Sequence, residues 1–300
     1  MTRPLAPIGL YDSGLGGLTV VREFLRQLPG EAFLYLGDTA RLPYGGRSAD
    51  ELVTFNREIV AYLASEGAKA ILVACNTSCA TALDAVRAES PVPVVGLIDA
   101  GARQAARHGR RVAVLATEAT IRSGAYVRAL EAQDDAIEVV PLACPHLVPA
   151  IESGIWEGSE AEAIVRAELA PVAGLDLDAV ILGCTHFPLL ARAIQGVLGP
   201  RVALVDPAVE AVRELAGLLA GAGQLADGSG EAAHDFIVTG DPESFAAQAS
   251  LLLGQDVGQV SRVFLQTLEL AGGRLIGAEP TPVAAADPEG RLDPASISAA

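Results

Sequence analysis

Short apolar runs alternate with amphipathic stretches along most of the chain. Residues 4–11 end in a run that reads as a strand, and the glycine-rich turn DSGLGG follows it. Residues 18–28 then carry apolar positions at helical spacing. Further strands are predicted at 32–36, 70–74, 92–97, 111–115, 137–141, 179–182 and 201–205. A helix is predicted over 49–64, and another opens directly after Cys75. Toward the C-terminus come a helix at 208–219, a Gly/Ala/Ser-rich link at 221–233 and a strand at 235–239. The segment GDPESF, with Asp and Pro at its head, starts one more helix. From about residue 278 onward periodicity is absent, and Pro, Ala, Asp and Gly dominate, as expected of a disordered tail. The repeated strand-helix rhythm predicts an α/β fold, with parallel sheets covered by helices on both faces.

The pattern also repeats at a larger scale. ILVACNTSCATALDAV resembles VILGCTHFPLLARAI: each is a buried strand, a Cys, a Thr close behind, then a helix. Upstream, IGLYDSG resembles VAVLATEAT, and the spacing from Asp12 to Cys75 is close to that from Thr117 to Cys184. Any two strand-to-helix units share some of this likeness. The expectation is two similar doubly wound domains related by a pseudo-two-fold axis, with the site in the cleft between them. The first domain would hold residues 1–97 and 206–277, and the second 98–205.

Half the residues are hydrophobic, enough apolar surface for two such cores. The formal charge of −16 argues against nucleic acid and anionic membranes as partners. The N-terminus lacks the long apolar core of a signal peptide, and no apolar run is long enough to span a bilayer, so a cytoplasmic protein is expected. Four cysteines in 300 residues read as free thiols in a reducing compartment. Lys69 is the only lysine. A pyridoxal enzyme needs a Schiff-base lysine, and Lys69 precedes its strand, at the end opposite to where open α/β sheets bind ligands. No cofactor and no metal are expected.

Cys75 and Cys184 each follow an apolar strand and are expected to open a helix, whose backbone N–H groups and dipole favour a thiolate. For either alone a buried structural cysteine is the plainer reading. Two in matching positions shift the balance to function. Cys79, one helical turn after Cys75, reads as core, and Cys144 has no assigned role. Cys75, Cys184 and His186 could in principle ligate a metal, but Cys-x-x-x-Cys and Cys-x-His are not zinc spacings. A redox pair would want Cys-x-x-Cys, and a Cys-His hydrolase would leave the second cysteine unexplained. Asp12 and Ser13 lie in a turn able to hold a carboxylate through backbone N–H groups, and Asp12 beside a cysteine can accept or orient a proton. Asn76, Thr77, Thr185 and His186 would converge on the same cleft, so an acidic protein could hold an acidic substrate without Arg or Lys. Pro43, Tyr44 and Gly45 form a rigid turn that could add donors. Glu152, at an expected helix end, reads on its own as a solvated glutamate.

With these residues in view, the chain resembles the glutamate racemases of the bacterial peptidoglycan pathway, in the aspartate/glutamate racemase superfamily. The matching segments are IGLYDSGLGGLTV, GDTARLPYG, ILVACNTSCATAL, VVGLIDAG, VAVLATEATIRSGAY, CPHLVPAIESG, ILGCTHFPLL and FIVTGDPESF. They cover nearly all of residues 7–265 and are specific jointly. Aspartate racemases share the paired cysteines but usually lack the DSGxGG and PYG segments, and His186 after Cys184-Thr185 favours glutamate. The resemblance implies a cofactor-independent enzyme, usually a homodimer, acting on glutamate. It implies that Cys75 and Cys184 exchange the α-proton, that Asp12 assists Cys75, and that Glu152 and His186 assist Cys184. Substrate contacts are expected from Asp12, Ser13, Pro43, Tyr44, Gly45, Asn76, Thr77, Thr117, Thr120, Thr185 and His186. The alternatives are racemisation of aspartate or another acidic amino acid, or a non-catalytic sensor that closes on an acidic ligand.

Overall fold

Strands form where the apolar runs predict them, and several are buried along their whole length rather than on alternate residues. Strands covered on both faces by helices have that pattern. The computed structural model describes residues 6–227, 232–265, 270–271 and 274–275, so the tail expected from 278 lies outside the described residues. In chain order the first elements are β1 (Ile8–Asp12), α1 (Leu18–Gln27), β2 (Phe33–Gly37), α2 (Ala49–Ser65), β3 (Ala70–Val73), α3 (Asn76–Glu89), β4 (Val94–Val95) and α4 (Ile98–Ala105). Next come β5 (Arg111–Ala116), α5 (Glu118–Ser123), α6 (Ala125–Glu131), β6 (Glu138–Ala143), α7 (Leu147–Glu152), α8 (Gly158–Glu168), β7 (Ala179–Gly183) and α9 (Ala191–Leu198). They are followed by β8 (Ala203–Val205), α10 (Pro207–Gly221), β9 (His234–Val238), α11 (Pro242–Leu253) and β10 (Val260–Arg262).

Local chemistry fixes several helix starts. Ser48 and Glu51 form a reciprocal capping box at the head of α2. Asp206 and Asp241 cap α10 and α11, each with proline at the first helical position, where the missing N–H would have had no partner. The strand predicted over 92–97 shrinks to two paired residues beside β3.

Two all-parallel sheets result, one ordered β10-β9-β2-β1-β3-β4 and the other β6-β5-β7-β8. The order β2-β1-β3-β4 in the first matches β6-β5-β7-β8 in the second, so the internal repeat read from the sequence is present in the topology. The chain leaves the first sheet after β4 through α4 and returns to it after β8 through α10. These two crossing helices pack on each other, and α10 also packs on α1.

One core cluster correspondingly spans both sheets. Val112, Val114 and Ala116 on one face of β5 join the cluster that holds Ile71, Leu72, Val212 and Leu215. Ala113 and Leu115 on its other face join Leu147, Val165, Phe187 and Ile194. That alternation is the two-residue period of a strand covered on both sides. The carboxyl ends of β1, β3, β5, β6 and β7 all lead into residues that line one cavity, the position where open α/β sheets bind ligands.

Candidate active site

The cavity has a volume of about 250 Å³ and is walled by both halves of the repeat. Asp12, Ser13, Pro43, Tyr44, Gly45, Cys75, Asn76 and Thr77 come from the first, and Thr117, Cys144, Cys184, Thr185 and His186 from the second. Cys75 and Cys184 are both free thiols, 4% and 6% exposed.

On the first wall, Cys75 is the N-cap of α3, as predicted, but its side chain accepts no capping bond. Its thiol lies 3.9 Å from Ser13 Oγ. Asp12, at the end of β1, accepts a 2.6 Å hydrogen bond from Gly17 N–H through Oδ2. Burial raises the Asp12 carboxyl above its ordinary value, against the opposing pull of His186 and a hydrogen bond with Cys75. Burial, and then the Asp12 charge, push the Cys75 thiol well up. The expected thiolate preference of a helix N-terminus is thus opposed at Cys75 by burial and by Asp12. Two anions cannot share so dry a corner, and the pair keeps at least one proton.

The second wall is built differently. Cys184 does not open an α-helix. A short 3-10 turn, Phe187–Leu190, separates it from α9, and the Phe187 N–H donates to the Cys184 carbonyl at 3.0 Å. Pro188 within that turn cannot donate a backbone bond, which delays the regular helix. In place of a helix dipole, Cys184 has an imidazole. His186 Nδ1 is 3.7 Å from Cys184 Sγ, and His186 Nε2 is 2.8 Å from Glu152 Oε1. Burial works against charge on this ring, but Cys184, Glu152 and Asp12 outweigh it and push the imidazole up to about 10. Glu152, the last residue of α7, does not line the cavity. It stands behind His186, and its side chain is one-third exposed.

Hydrogen bonds across the cleft join the walls. Tyr126 OH donates to Asn76 Oδ1 at 2.6 Å, and Thr19 Oγ1 donates to the Thr185 carbonyl at 2.8 Å. The hydroxyls of Thr77, Thr117 and Thr120 lie 3.1–3.3 Å from one another. Of these three, Thr77 and Thr117 line the cavity, and Thr120 is hydrogen-bonded to both without lining it. Gly16 makes the close approach of the walls feasible: a Cβ there would sit 2.5 Å from both His186 Nδ1 and Thr185 Oγ1.

The PYG turn lines the cavity with its backbone and ring, after a cis Leu42–Pro43 peptide. Its tyrosine hydroxyl is engaged elsewhere. Tyr44 OH donates to the buried carboxylate of Asp38, which also accepts from Arg41 Nε at 2.7 Å and Thr239 Oγ1 at 2.8 Å. Burial and the Asp38 charge hold the Tyr44 phenol well above its ordinary value. Among the lining residues there is no Lys or Arg. Lys69 is paired with Glu31 at 2.6 Å and bonded to the Gln224 carbonyl.

A cavity in which Cys75 and Cys184 face in from opposite walls, each reached from an equivalent strand end, fits what the comparisons with known proteins show. The family model for Asp/Glu/hydantoin racemases matches residues 16–215. This chain belongs to the Asp/Glu/hydantoin racemase family. Among curated racemases, the glutamate racemase of Lysinibacillus sphaericus strain C3-41 is 41% identical over 263 residues, spanning 87% of this chain and 99% of its own. Among solved structures, a Bacillus anthracis glutamate racemase isoform superposes with a TM-score of 0.82 at 38% identity, over 88% of this chain and 98% of its own. The Francisella tularensis glutamate racemase, solved with D-glutamate, gives a TM-score of 0.81 at 34% identity, over 87% and 98%.

The racemase cavity also contains residues that sequence reasoning passed over: Leu42, Gly46, Glu118, Cys144, Pro145, Val148 and Pro149. Cys144 directly follows β6, and the strand-end position that marked Cys75 and Cys184 would have marked it too. Burial pushes this third thiol up to about 12, and it is 1% exposed. Glu118, the first residue of α5, carries no such signal, since an acidic residue after an N-cap threonine is ordinary helix chemistry.

Proposed function

We propose that the chain interconverts L- and D-glutamate by moving the α-proton between Cys75 and Cys184, without a cofactor. The observation that supports it best is the placing of two buried thiols on opposite walls of one cavity in a chain 41% identical to a glutamate racemase. The α-proton of an amino acid is very weakly acidic. One face of the substrate needs a base, and the other needs a thiol able to return a proton. With Cys75 protonated at rest, Cys184 beside the His186 imidazole is the base toward L-glutamate, and Cys75 delivers the new proton to the opposite face. In the other direction the roles exchange. Asp12 exchanges protons with Cys75, and the Glu152–His186 pair orients Cys184 and relays charge on its side.

The substrate carboxylates are held by donors rather than by cationic side chains: the hydroxyls of Ser13, Thr77, Thr117 and Thr185, the Asn76 amide, and backbone N–H groups of the turns. Tyr126 takes the Asn76 carbonyl oxygen, so the amide N–H pair is left for an anion. Pro43, Tyr44 and Gly45 close the cavity from the first wall. In a low-dielectric enclosure these fixed dipoles stabilise the carbanionic transition state far more than they would in water. On this reading the enzyme works in the cytoplasm as a homodimer and supplies D-glutamate for peptidoglycan.

Incubation of each enantiomer in deuterated water tests the reading. Wild-type protein racemises glutamate and incorporates deuterium at the α-carbon, and it does so after chelation and removal of pyridoxal phosphate. Cys75→Ala and Cys184→Ala each lower racemisation by at least about a thousandfold. Full activity in either variant, or turnover of aspartate in preference to glutamate, refutes it.

A further inference from the structure

Helix α3 begins at Cys75, whose carbonyl accepts the first helical hydrogen bond from Cys79 N–H at 2.9 Å. Ser78 lies within the first turn. A serine inside a helix commonly gives its hydroxyl to a carbonyl one turn back or to solvent. Ser78 does neither. It is fully buried, and its Oγ has no hydrogen-bond partner in the protein. Buried hydroxyls are nearly always partnered, and one without a partner is destabilising. The nearby group that would gain from it is the Cys75 sulfur: Cys75 is the N-cap of α3 and Ser78 its third helical residue, the position whose N–H an N-cap side chain reaches, and both the Ser78 hydroxyl and its N–H favour negative charge there. In the resting thiol neither closes a capping bond on the sulfur, which instead contacts Ser13.

We propose that Ser78 is a positioning residue for the charged state of Cys75, its hydroxyl and backbone N–H closing on the sulfur once the thiol has given its proton to the substrate carbon. In that step the S–H bond breaks, a C–H bond forms at the α-carbon, and the electron pair stays on sulfur. Ser78 keeps its own proton and only donates a hydrogen bond. In the opposite direction the same hydrogen bonds hold the thiolate until it takes the α-proton. The titratable groups facing this sulfur work against its charge: Asp12 on β1, and the phenols of Tyr11, Tyr35 and Tyr44 when ionised. The unpartnered hydroxyl is thereby accounted for as a donor whose acceptor exists only during the reaction. This inference rests on the two-thiol reading above.

Alkylation by iodoacetamide from about pH 6 to pH 10, read by mass spectrometry of the peptides carrying Cys75 and Cys184, tests it. In Ser78→Ala, Cys75 is alkylated about tenfold more slowly near neutral pH and its pH midpoint moves upward, as loss of a hydrogen bond to a charged group predicts. Cys184, the internal control for an intact cavity, reacts as in wild type. Ser78→Thr, which keeps the hydroxyl, restores the Cys75 rate. The two enantiomers have equal free energy, so kcat/KM falls by the same factor of about ten in both directions. Equal Cys75 rates in wild type and Ser78→Ala, or a slowing shared by Cys184, overturns the inference. If wild type fails to racemise glutamate while the Cys75 difference is present, the functional reading falls and the Ser78 role stands. If racemisation is present and the difference is absent, the Ser78 role falls alone.

Discussion

At the residue scale the two thiols differ in company. Cys75 faces a carboxylate and Cys184 faces an imidazole held by a carboxylate. The His186–Glu152 contact has a consequence for stability. The folded imidazole is raised to about 10, from an ordinary value near 6.5. A raised cationic group stabilises the fold fully below the unfolded value, and that contribution is lost as pH rises through the folded value. Glu152→Gln removes one of the causes. The stability gap between wild type and this variant is therefore expected to be widest below about pH 6.5 and to close toward pH 10, as followed by urea midpoints at several pH values. A gap that stays constant across that range would contradict the pairing. The same variant should lower kcat by about tenfold to a hundredfold, a modest share of what acid–base groups contribute. Most of these residues were legible in the sequence because chemistry at strand ends leaves a compact signature: an apolar run, then Cys-Asn-Thr or Cys-Thr-His. Ser78 was not legible. Its significance is an unfilled hydrogen bond, which only packing reveals. Nor was the bond from Tyr44 to Asp38, because Asp38 and Thr239, which hold the region behind the PYG turn, lie some 200 residues apart.

At the element scale the strands were the most legible part, since buried parallel strands appear as unbroken apolar runs. The misjudged pieces have local physical causes. Pro188 turns the segment after Cys184 into a 3-10 turn before α9, and β4 pairs through only two residues. The short helices α5, α6 and α7 hold six or seven residues each, too few for a periodic pattern to stand out. The DSGLGG turn, expected to hold an anion, also allows contact between the walls through its second glycine. Gly16→Ala would press a methyl group on His186 and Thr185. It is expected to destabilise the protein by about 1–3 kcal/mol and to lower kcat/KM by about a hundredfold, since small displacements of catalytic groups are costly. Thermal melts alongside steady-state kinetics check both, and a variant with wild-type kinetics would show that the walls can part there without harm.

At the scale of the whole molecule, the formal charge of −16 surrounds a site meant for an anion. The lining residues offer no Lys or Arg to offset it. Long-range repulsion should therefore weaken substrate capture at low ionic strength. Screening shortens from about 30 Å at 0.01 M to about 8 Å at 0.15 M, so KM for glutamate is expected to fall by about two- to fivefold over that range of an inert salt. A KM that rises with salt would mean that local dipoles and His186 already dominate the approach. The repeat was legible at this scale too, because two like motifs at like spacings imply like topologies. The shared core was not, because residues that meet on α4 and α10 are far apart in sequence.

The route of the chain between the sheets carries one more consequence. It passes between them twice, through α4 and through α10, and those helices lie against each other. Two tethers side by side define a single axis. That axis is where a rotation of one half against the other would strain the tethers least, since sliding or twisting apart would pull one tether against its neighbour. Cys75 and Cys184 stand on opposite sides of the opening such a rotation would control. A rotation of that kind would couple admission of substrate to alignment of the two sulfurs, so that one movement would set both the gap between the thiols and the exclusion of water.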